Sequence, residues 1–432
     1  MSPVLVGALG FFVLLLLIAT RMPIGLAMLL SGLFGLAYLR GWNIALYSLG
    51  MVPWNTAYKQ TMSVIPLFLL MGNICFYAGI SSALYFAANK WFGSMRGGLA
   101  IATTAASAGF AAVSGSSVAS AVTIGSVALP EMKKYHYDVR LATGSVAAGG
   151  TLGPMIPPSM GFIIYSMLTG VSVGELFIAG ILPGLLQTGL FILTIYLLCL
   201  HDPAMGPSAP SSSFREKVVS LKKVWGVLII SLSVIGGIYF GIFTPTEAAA
   251  VGAFASFIIM IALRQFTRQN LLGAFLETAR TTAMCFFILA GAHMFSLFLT
   301  TSTLPHWLSN IIAGLPIHRI WILVLIMLIY MFLGCIMDAM ALTIVTIPIF
   351  FPVILALGFD PVWFGVLNAI KGEAAVITPP IGINVFVVAG VAKERIETVF
   401  AGIWPFFLAI LVALALNIAF PQISLFLPKI MR

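Results

Sequence analysis

The chain has 432 residues, of which 61% are hydrophobic and only 8% charged, against roughly 25% charged residues in soluble globular domains. That balance excludes a soluble enzyme and predicts an integral membrane protein, with apolar runs that reach the ~20 residues a helix needs to cross ~30 Å of hydrocarbon. The net charge of +9 is read as basic residues collecting in cytoplasmic loops for topological reasons, not as a nucleic-acid surface.

In chain order, Leu5 to Thr20 has the hydrophobicity of a signal peptide but no basic segment ahead of it and no convincing cleavage site, so it is expected to stay as a span. Full spans are predicted at 3–20, 23–40, 61–88, 138–170 and 174–200, then at 224–243, 246–263, 281–302, 361–391 and 396–427. Two re-entrant hairpins, at 97–132 and 319–357, separate them. The most polar interval, His201 to Lys223 with "GPSAPSSSFREK", is too short to fold alone and reads as a linker. Cys75, Cys199, Cys285 and Cys335 lie far apart in apolar segments, without metal-site or disulfide spacing, and read as packing residues.

Residues 130–183 laid without gaps on 352–405 (352 − 130 = 222) are identical at eleven of fifty-four positions, where biased membrane composition yields roughly four; weak internal similarity of this kind marks repeated transporters. Helix breakers and acids recur in register: Pro130/Pro352, Asp138/Asp360, Gly150/Gly372, Pro157/Pro379, Pro158/Pro380 and Glu175/Glu397. Pro23/Pro245 extends the match towards the start of each half. Two repeats of about 200 residues follow, and five spans per repeat make the second inverted. With the linker in the cytoplasm, fifteen basic residues fall on that side and five opposite (Arg40, Lys59, Arg319, Lys429 and Arg432), with Lys371 inside a span. This orientation satisfies the positive-inside rule and places both termini in the periplasm.

The best-aligned stretches are "GGTLGPMIPPSMG" (149–161) and "KGEAAVITPPIGIN" (371–384). Proline and glycine unwind a helix, and unwound backbone at membrane depth is tolerated where it is buried in protein or lines a wet cavity. Free carbonyls there can hold a cation, and half-helix N-termini favour an anion. A lone proline kink would be structural, but tandem prolines in matching positions point to a binding site. "AAVSGSSVASAVTIGS" (111–126) reads as a hairpin whose tip, Ser114 to Ser117, offers hydroxyls and backbone groups; the alternative, one span of small packing residues, would reverse the charge pattern downstream. Its counterpart, "FLGCIMDAMALTIVTIPIF" (332–350), carries Asp338, either part of a cation or proton site or a hydrogen-bonded structural residue. Lys371 and Glu373 also lie within a span, two apart and so on different faces. Glu247 is expected to cap a helix start after Pro245, and His293 to be a packing histidine. Nothing resembles a nucleotide loop, a nucleophile with its base or a metal-binding histidine pair, so an enzyme is not expected. A channel with the unwound segments as filter remains the alternative to a transporter.

Together "RMPIGLAM", "SGSSVAS", "AAGGTLGPMIPPSM", "GVSVGELFIAGILPG", "FTPTEAAAVGA" and "ITPPIGINVF" resemble, over essentially the whole chain, the large membrane subunit of tripartite ATP-independent periplasmic (TRAP) transporters. The resemblance implies an all-α polytopic fold of two inverted repeats, each with about five transmembrane helices, one of them broken, and one re-entrant hairpin. It also implies a sodium-driven elevator importer of organic anions such as C4-dicarboxylates in the bacterial inner membrane, with no cofactor beyond Na⁺. Its partners would be a small four-helix membrane subunit, not fused here, and a periplasmic substrate-binding protein. Carried over, a first sodium site would use Ser114 or Ser116 with Gly153, Ile156 and Pro158, and a second Gly334, Ala375, Thr378 and Ile381. Ser117, Gly149, Gly150, Asp338, Lys371, Glu373 and Asn384 are candidates for substrate or coupling. Residues 1–200 would form the first repeat (scaffold 1–60, transport part 61–200), 201–223 a cytoplasmic linker and 224–432 the second repeat (scaffold 224–280, transport part 281–432). The family often reads Asn, Glu, then Gly ahead of "TPP", where this chain has Lys371, Glu373 and Ala375, and alanine restricts the backbone of the second site.

Overall fold

The computed structural model describes residues 1–431 apart from Leu315, Ile336, Pro380 and Ile381, and among these every regular element is helical. Of the sequence expectations, Ile381 of the second sodium site, Pro380 of the repeated proline pair and Arg432 of the charge count lie outside the described residues.

The first half runs α1 (Pro3–Ala19), α2 (Ile24–Arg40), α3 (Trp42–Ala57), α4 (Val64–Tyr77) behind a 3₁₀ turn, α5 (Ile80–Phe92), α6 (Gly98–Ser114), α7 (Ser117–Lys134), α8 (Val139–Gly150), α9 (Met160–Thr169) and α10 (Val173–His201). After α11 (Phe214–Leu221) come α12 (Trp225–Ser231), a π-helical turn and the short α13 (Gly237–Tyr239), then α14 (Pro245–Ala262), α15 (Arg268–Thr301) and α16 (Leu304–Ala313). The chain continues as α17 (Arg319–Gly334), α18 (Ala339–Ala356), α19 (Pro361–Ala375), α20 (Ile383–Ala392), α21 (Ile396–Ala419) and α22 (Gln422–Met431). Among the described residues, six helices are long and apolar enough to cross a membrane unaided, or seven if α11 and Trp225–Tyr239, bent by 51°, count as one. The order hairpin, broken helix, long helix occurs twice, as α6–α10 and as α17–α21. α9 and α20, at ten residues each, rise about 15 Å, half of the hydrocarbon thickness.

Several boundaries differ from the sequence expectation. The 61–88 run is two helices, because Gly79 adopts φ +73 between α4 and α5, a left-handed conformation open to glycine at little cost. The 281–302 span is the second half of α15, which starts at Arg268 with an exposed, charged segment that includes a Glu277–Arg280 pair at 3.3 Å. The run 396–427 stops at Ala419, and Pro421 precedes the separate α22. The linker holds α11, capped by Ser213 through Glu216 N. α3, not expected as an element, exposes Trp42, Tyr47 and Trp54, residue types that favour a membrane–water interface.

Glu247 caps as its position predicts. Thr244 N donates to Glu247 Oε2 at 2.8 Å and Glu247 N donates to Thr244 Oγ1 at 3.3 Å, a reciprocal box at the start of α14. Thr244→Ala should cost about 1 kcal/mol, lowering the unfolding midpoint in detergent by a few degrees without changing membrane insertion; scanning fluorimetry checks this. His293 accepts the packing role: Nδ1 lies 3.1 Å from Thr56 Oγ1, joining α15 to α3.

Small residues set the closest helix contacts, as expected where lipid competes with every apolar surface. α2 and α15 meet through Gly25, Gly32 and Gly291; a Cβ at Gly32 would sit 2.8 Å from the Met294 carbonyl carbon, and one at Gly291 would collide with the Gly25 carbonyl. α8 and α21 meet in the same way: a Cβ at Gly144 would collide with the Gly402 carbonyl and one at Gly402 with the Arg140 carbonyl. α8 belongs to the first broken segment and α21 follows the second, so these glycines draw the two halves together beside the site.

Candidate functional site

Each broken helix starts at a repeated aspartate. Asp138 Oδ1 accepts from Arg140 N at 2.7 Å and Leu141 N at 3.3 Å, and Asp360 Oδ1 accepts from Val362 N at 2.8 Å and Trp363 N at 3.1 Å. Both are N-caps, which explains why the acids recur in register. Each hairpin turns on a cap too. Ser116 Oγ accepts from Ala119 N at 3.3 Å ahead of α7, and Asp338 Oδ1 accepts from Met340 N at 2.9 Å and Ala341 N at 3.0 Å ahead of α18. The two caps are 222 positions apart (338 − 116), so the repeat offset extends to the hairpin tips.

In the first break the helix stops at Gly150, turns through Thr151 to Pro158 and restarts at Met160, where Ser159 Oγ accepts from Phe162 N at 3.3 Å and donates to the Pro154 carbonyl. Thr151 Oγ1 donates to Ala148 O at 2.6 Å and accepts from Gln187 Nε2 at 3.3 Å, which ties the break to α10. The hairpin tip lies directly on this break. Gly115, with φ +61, brings its backbone to Pro158, and a Cβ there would sit 2.7 Å from the Pro158 carbonyl oxygen. A Cβ at Gly153 would sit 2.7 Å from the carbonyl carbon and oxygen of Ser116. Ser116, Gly153 and Pro158 are thus brought together. The carbonyls of Gly153, Ile156 and Pro158 accept no hydrogen bond among the described residues, leaving oxygens of the kind that hold a desolvated cation. Ser114 Oγ is engaged 2.8 Å from Ser120 Oγ, and the Ile156 side chain packs towards Gly184 of α10.

In the second break Gly334 of α17 abuts Ala375 of α19 so closely that a Cβ on Gly334 would collide with the Ala375 methyl. Thr378 Oγ1 donates to Ala374 O at 2.6 Å, and Asn384 N donates across the break to Val376 O at 3.2 Å. The Asn384 side chain is 0% exposed with its amide oxygen and nitrogen unmatched.

Between the two tips and the two breaks lies a cavity of about 310 Å³, bordered by Ser116 and Ser117 of the first tip, Asp338 and Thr343 of the second, and Asn368 and Glu373 of α19. That volume sits at the lower end of the range for small-molecule sites. The starts of α7, α9, α18 and α20 all border it, so helix N-termini, which favour negative charge, lie along its wall. Among the described lining residues none is basic and two, Asp338 and Glu373, are carboxylates. Glu373 is 1% exposed and its Oε2 has no partner among the described residues. Gly149 and Gly150 stand behind the cavity, against Ser107 and against Ala121 with the Ser117 carbonyl. Lys371 points away from it, its Nζ 3.3 Å from the centre of the Tyr330 ring.

The family model for the tripartite ATP-independent periplasmic transporter, DctM component, matches residues 11–423. The chain belongs to the DctM family. It is similar to the C4-dicarboxylate TRAP transporter large permease protein DctM of Pseudomonas aeruginosa, with 35% identity over 384 residues, 88% of this chain and 89% of that protein. It is similar also to the sialic acid TRAP transporter large permease protein SiaM of Vibrio cholerae, 34% identical over 373 residues and 86% of each chain. Among solved structures, the YdaH transporter of Alcanivorax borkumensis shares the fold at a TM-score of 0.64 and 16% identity, over 88% of both chains. The chain is therefore a multi-pass membrane transport subunit of the TRAP type.

Two residues of this DctM component's site were not singled out from the sequence. Asn368 is 3% exposed and donates from Nδ2 to Thr343 Oγ1 at 3.0 Å across the cavity wall; its signal was an amide inside the apolar run "WFGVLNAI". Tyr330 is 0% exposed, and nothing in its own segment marks it as the ring beneath Lys371.

Proposed function

We propose that this subunit carries organic anions, with C4-dicarboxylates or other carboxylates as cargo, inward together with sodium. It does so as the membrane part of an importer that also needs a small membrane subunit and a periplasmic binding protein. The substrate classes printed for the relatives, a C4-dicarboxylate and sialic acid, both carry carboxylates. The observation that carries the reading is the composition of the cavity. Helix N-termini face it and favour an anion, yet its charged side chains, Asp338 and Glu373, are both acidic. A carboxylate-bearing solute entering such a space needs a compensating cation, because unpaired charge of one sign is expensive at low dielectric. The bare carbonyls of Gly153, Ile156 and Pro158, in a break that the hairpin tip meets at Gly115 and Ser116, suit Na⁺, a hard ion that takes oxygen ligands and would neutralise the acidic wall.

The transport step in this reading is an elevator movement. The hairpins and broken helices, packed together through Gly115, Gly153 and Gly334, move as a unit against a scaffold formed by 1–60 and 224–280. Reconstitution in liposomes tests the whole. Uptake of a radiolabelled dicarboxylate or sialic acid should require an inward sodium gradient, the small subunit and the loaded binding protein. Uptake indifferent to sodium, or complete with this chain alone, would overturn the proposal, and unitary single-channel currents would favour a pore.

A further inference from the structure

The cavity between the tips and the breaks keeps its hydrogen-bond donors and acceptors on different elements. The donors are backbone groups. Ser117 N and Val118 N at the start of α7 and Gly161 N at the start of α9 donate to nothing among the described residues, because the first N–H groups of a helix have no partner within it. All three residues border the cavity, and groups of this kind suit a carboxylate.

The opposite requirement comes from α19. It borders the cavity with Asn368, Ala369, Gly372, Glu373 and Val376, two polar side chains about 7.5 Å apart along the helix axis with small or apolar residues beside them. Among the described lining residues, the buried side-chain atoms without a partner are Asn368 Oδ1 and Glu373 Oε2. A neighbour sets the orientation of the Asn368 amide. Thr343 Oγ1 donates to Ala339 O at 2.9 Å, so its oxygen is left to accept, and it accepts from Asn368 Nδ2 at 3.0 Å. Turning the amide over would break one of these two bonds, so Oδ1 is the atom left over. In either protonation state the Glu373 carboxyl also keeps an oxygen that accepts.

A buried acceptor without a donor is expensive, and a solute that displaces water from such a wall must supply the donor itself. A plain dicarboxylate in its ionised form has none, since each of its oxygens only accepts. A hydroxyl donates. We infer that the cargo of this chain is a hydroxylated carboxylate, its carboxylate against the starts of α7 and α9 and a hydroxyl donating to Asn368 Oδ1, with Thr343 as the residue that positions the amide. The inference rests on the organic-anion reading above and narrows it.

Equilibrium dialysis of radiolabelled acids against the purified complex with its small subunit, at saturating sodium and without binding protein, tests this. Succinate, malate and tartrate share a four-carbon dicarboxylate skeleton and differ in their hydroxyls; adipate and galactarate make the same comparison on a longer chain. In at least one series the hydroxylated acid should bind about tenfold to a hundredfold more tightly than the plain one, the range set by a buried acceptor left unpaired. Asn368→Leu should collapse that difference by weakening the hydroxylated acid. Thr343→Val frees the amide to turn Nδ2 towards the cavity, so it should weaken the hydroxylated acid and tighten the plain one, opposite shifts that loss of packing does not produce. Equal binding of plain and hydroxylated acids in both series would overturn the inference and leave the organic-anion reading standing, and a preference that persists in Asn368→Leu would overturn the role of Asn368. No binding of any of the five acids would remove the organic-anion reading and this inference with it. If Asn368→Leu does not survive purification, the shifts in Thr343→Val decide.

Discussion

Replacing Gly153 with valine is expected to lower sodium-dependent uptake by about tenfold to a hundredfold while the protein still reaches the membrane. The first atom added at this position meets backbone, not a side chain that could swing aside: the Ser116 carbonyl carbon and oxygen at 2.7 Å and Ser117 N at 3.1 Å. The hairpin tip must retreat from the break, and overpacking of this kind costs about 1–3 kcal/mol. At tenfold per 1.4 kcal/mol, that loss would fall, in the proposed reading, on sodium held between Ser116 and the carbonyls of Gly153, Ile156 and Pro158. Insertion should change little, because the helices that flank the turn keep their apolar faces and their caps at Asp138 and Ser159. The check is uptake in liposomes normalised to the amount reconstituted, beside membrane levels in cells. Equal falls in both would mean that the tight approach at Gly153 serves folding alone, and the first sodium site would lose its support.

The membrane class, the order of hairpins and broken helices and the two breaks were all legible, because each rests on a local property: apolar length, tandem prolines, or a glycine and serine cluster between short arms. The acids Asp138 and Asp360 were legible as a pair, and their role follows from their place just ahead of α8 and α19. The caps Ser116 and Asp338 were not recognised as partners. They differ in residue type and share only a geometric task, accepting N–H groups from the first turn beyond the tip. Asn368 and Tyr330 were missed for a different reason. Their partners, Thr343 and Lys371, lie 25 and 41 positions away (368 − 343; 371 − 330) on other helices, and spacing along one helix carries no information about which neighbour it will touch. The split of 61–88 hinged on a single glycine, Gly79, inside an otherwise continuous apolar run, where composition says that a helix can span but not that it does. Gly334 and Ala375 were expected in one site from the family resemblance, with Ala375 restricting the backbone there; that its methyl would fill the seam against Gly334 needed the packed helices.

Glu373→Gln is the sharpest test of why the cavity is acidic. The side chain is 1% exposed inside a membrane segment, borders the cavity, and has one carboxylate oxygen without a partner among the described residues. Glutamine keeps the shape and much of the hydrogen-bonding capacity and removes the charge, so packing of α19 against α17 and α18 should survive. If the carboxylate serves to require a cation before an anion can enter, the sodium concentration for half-maximal uptake should rise by about tenfold to a hundredfold. A hydrogen bond to a charged group is worth about 1.5–3 kcal/mol, which serves as the scale for the lost carboxylate contact, and each 1.4 kcal/mol is tenfold. At saturating sodium the variant should recover much of its rate, since the contacts proposed for the substrate with the starts of α7, α18 and α20 would remain. Asp338→Asn should shift the same curve less. Asparagine still accepts from Met340 and Ala341 as an N-cap, and those two N–H groups already offset part of the aspartate charge. A Glu373→Gln curve that overlies the unaltered one would mean that the carboxylate is structural, and that the cation requirement arises from the carbonyls of the first break alone.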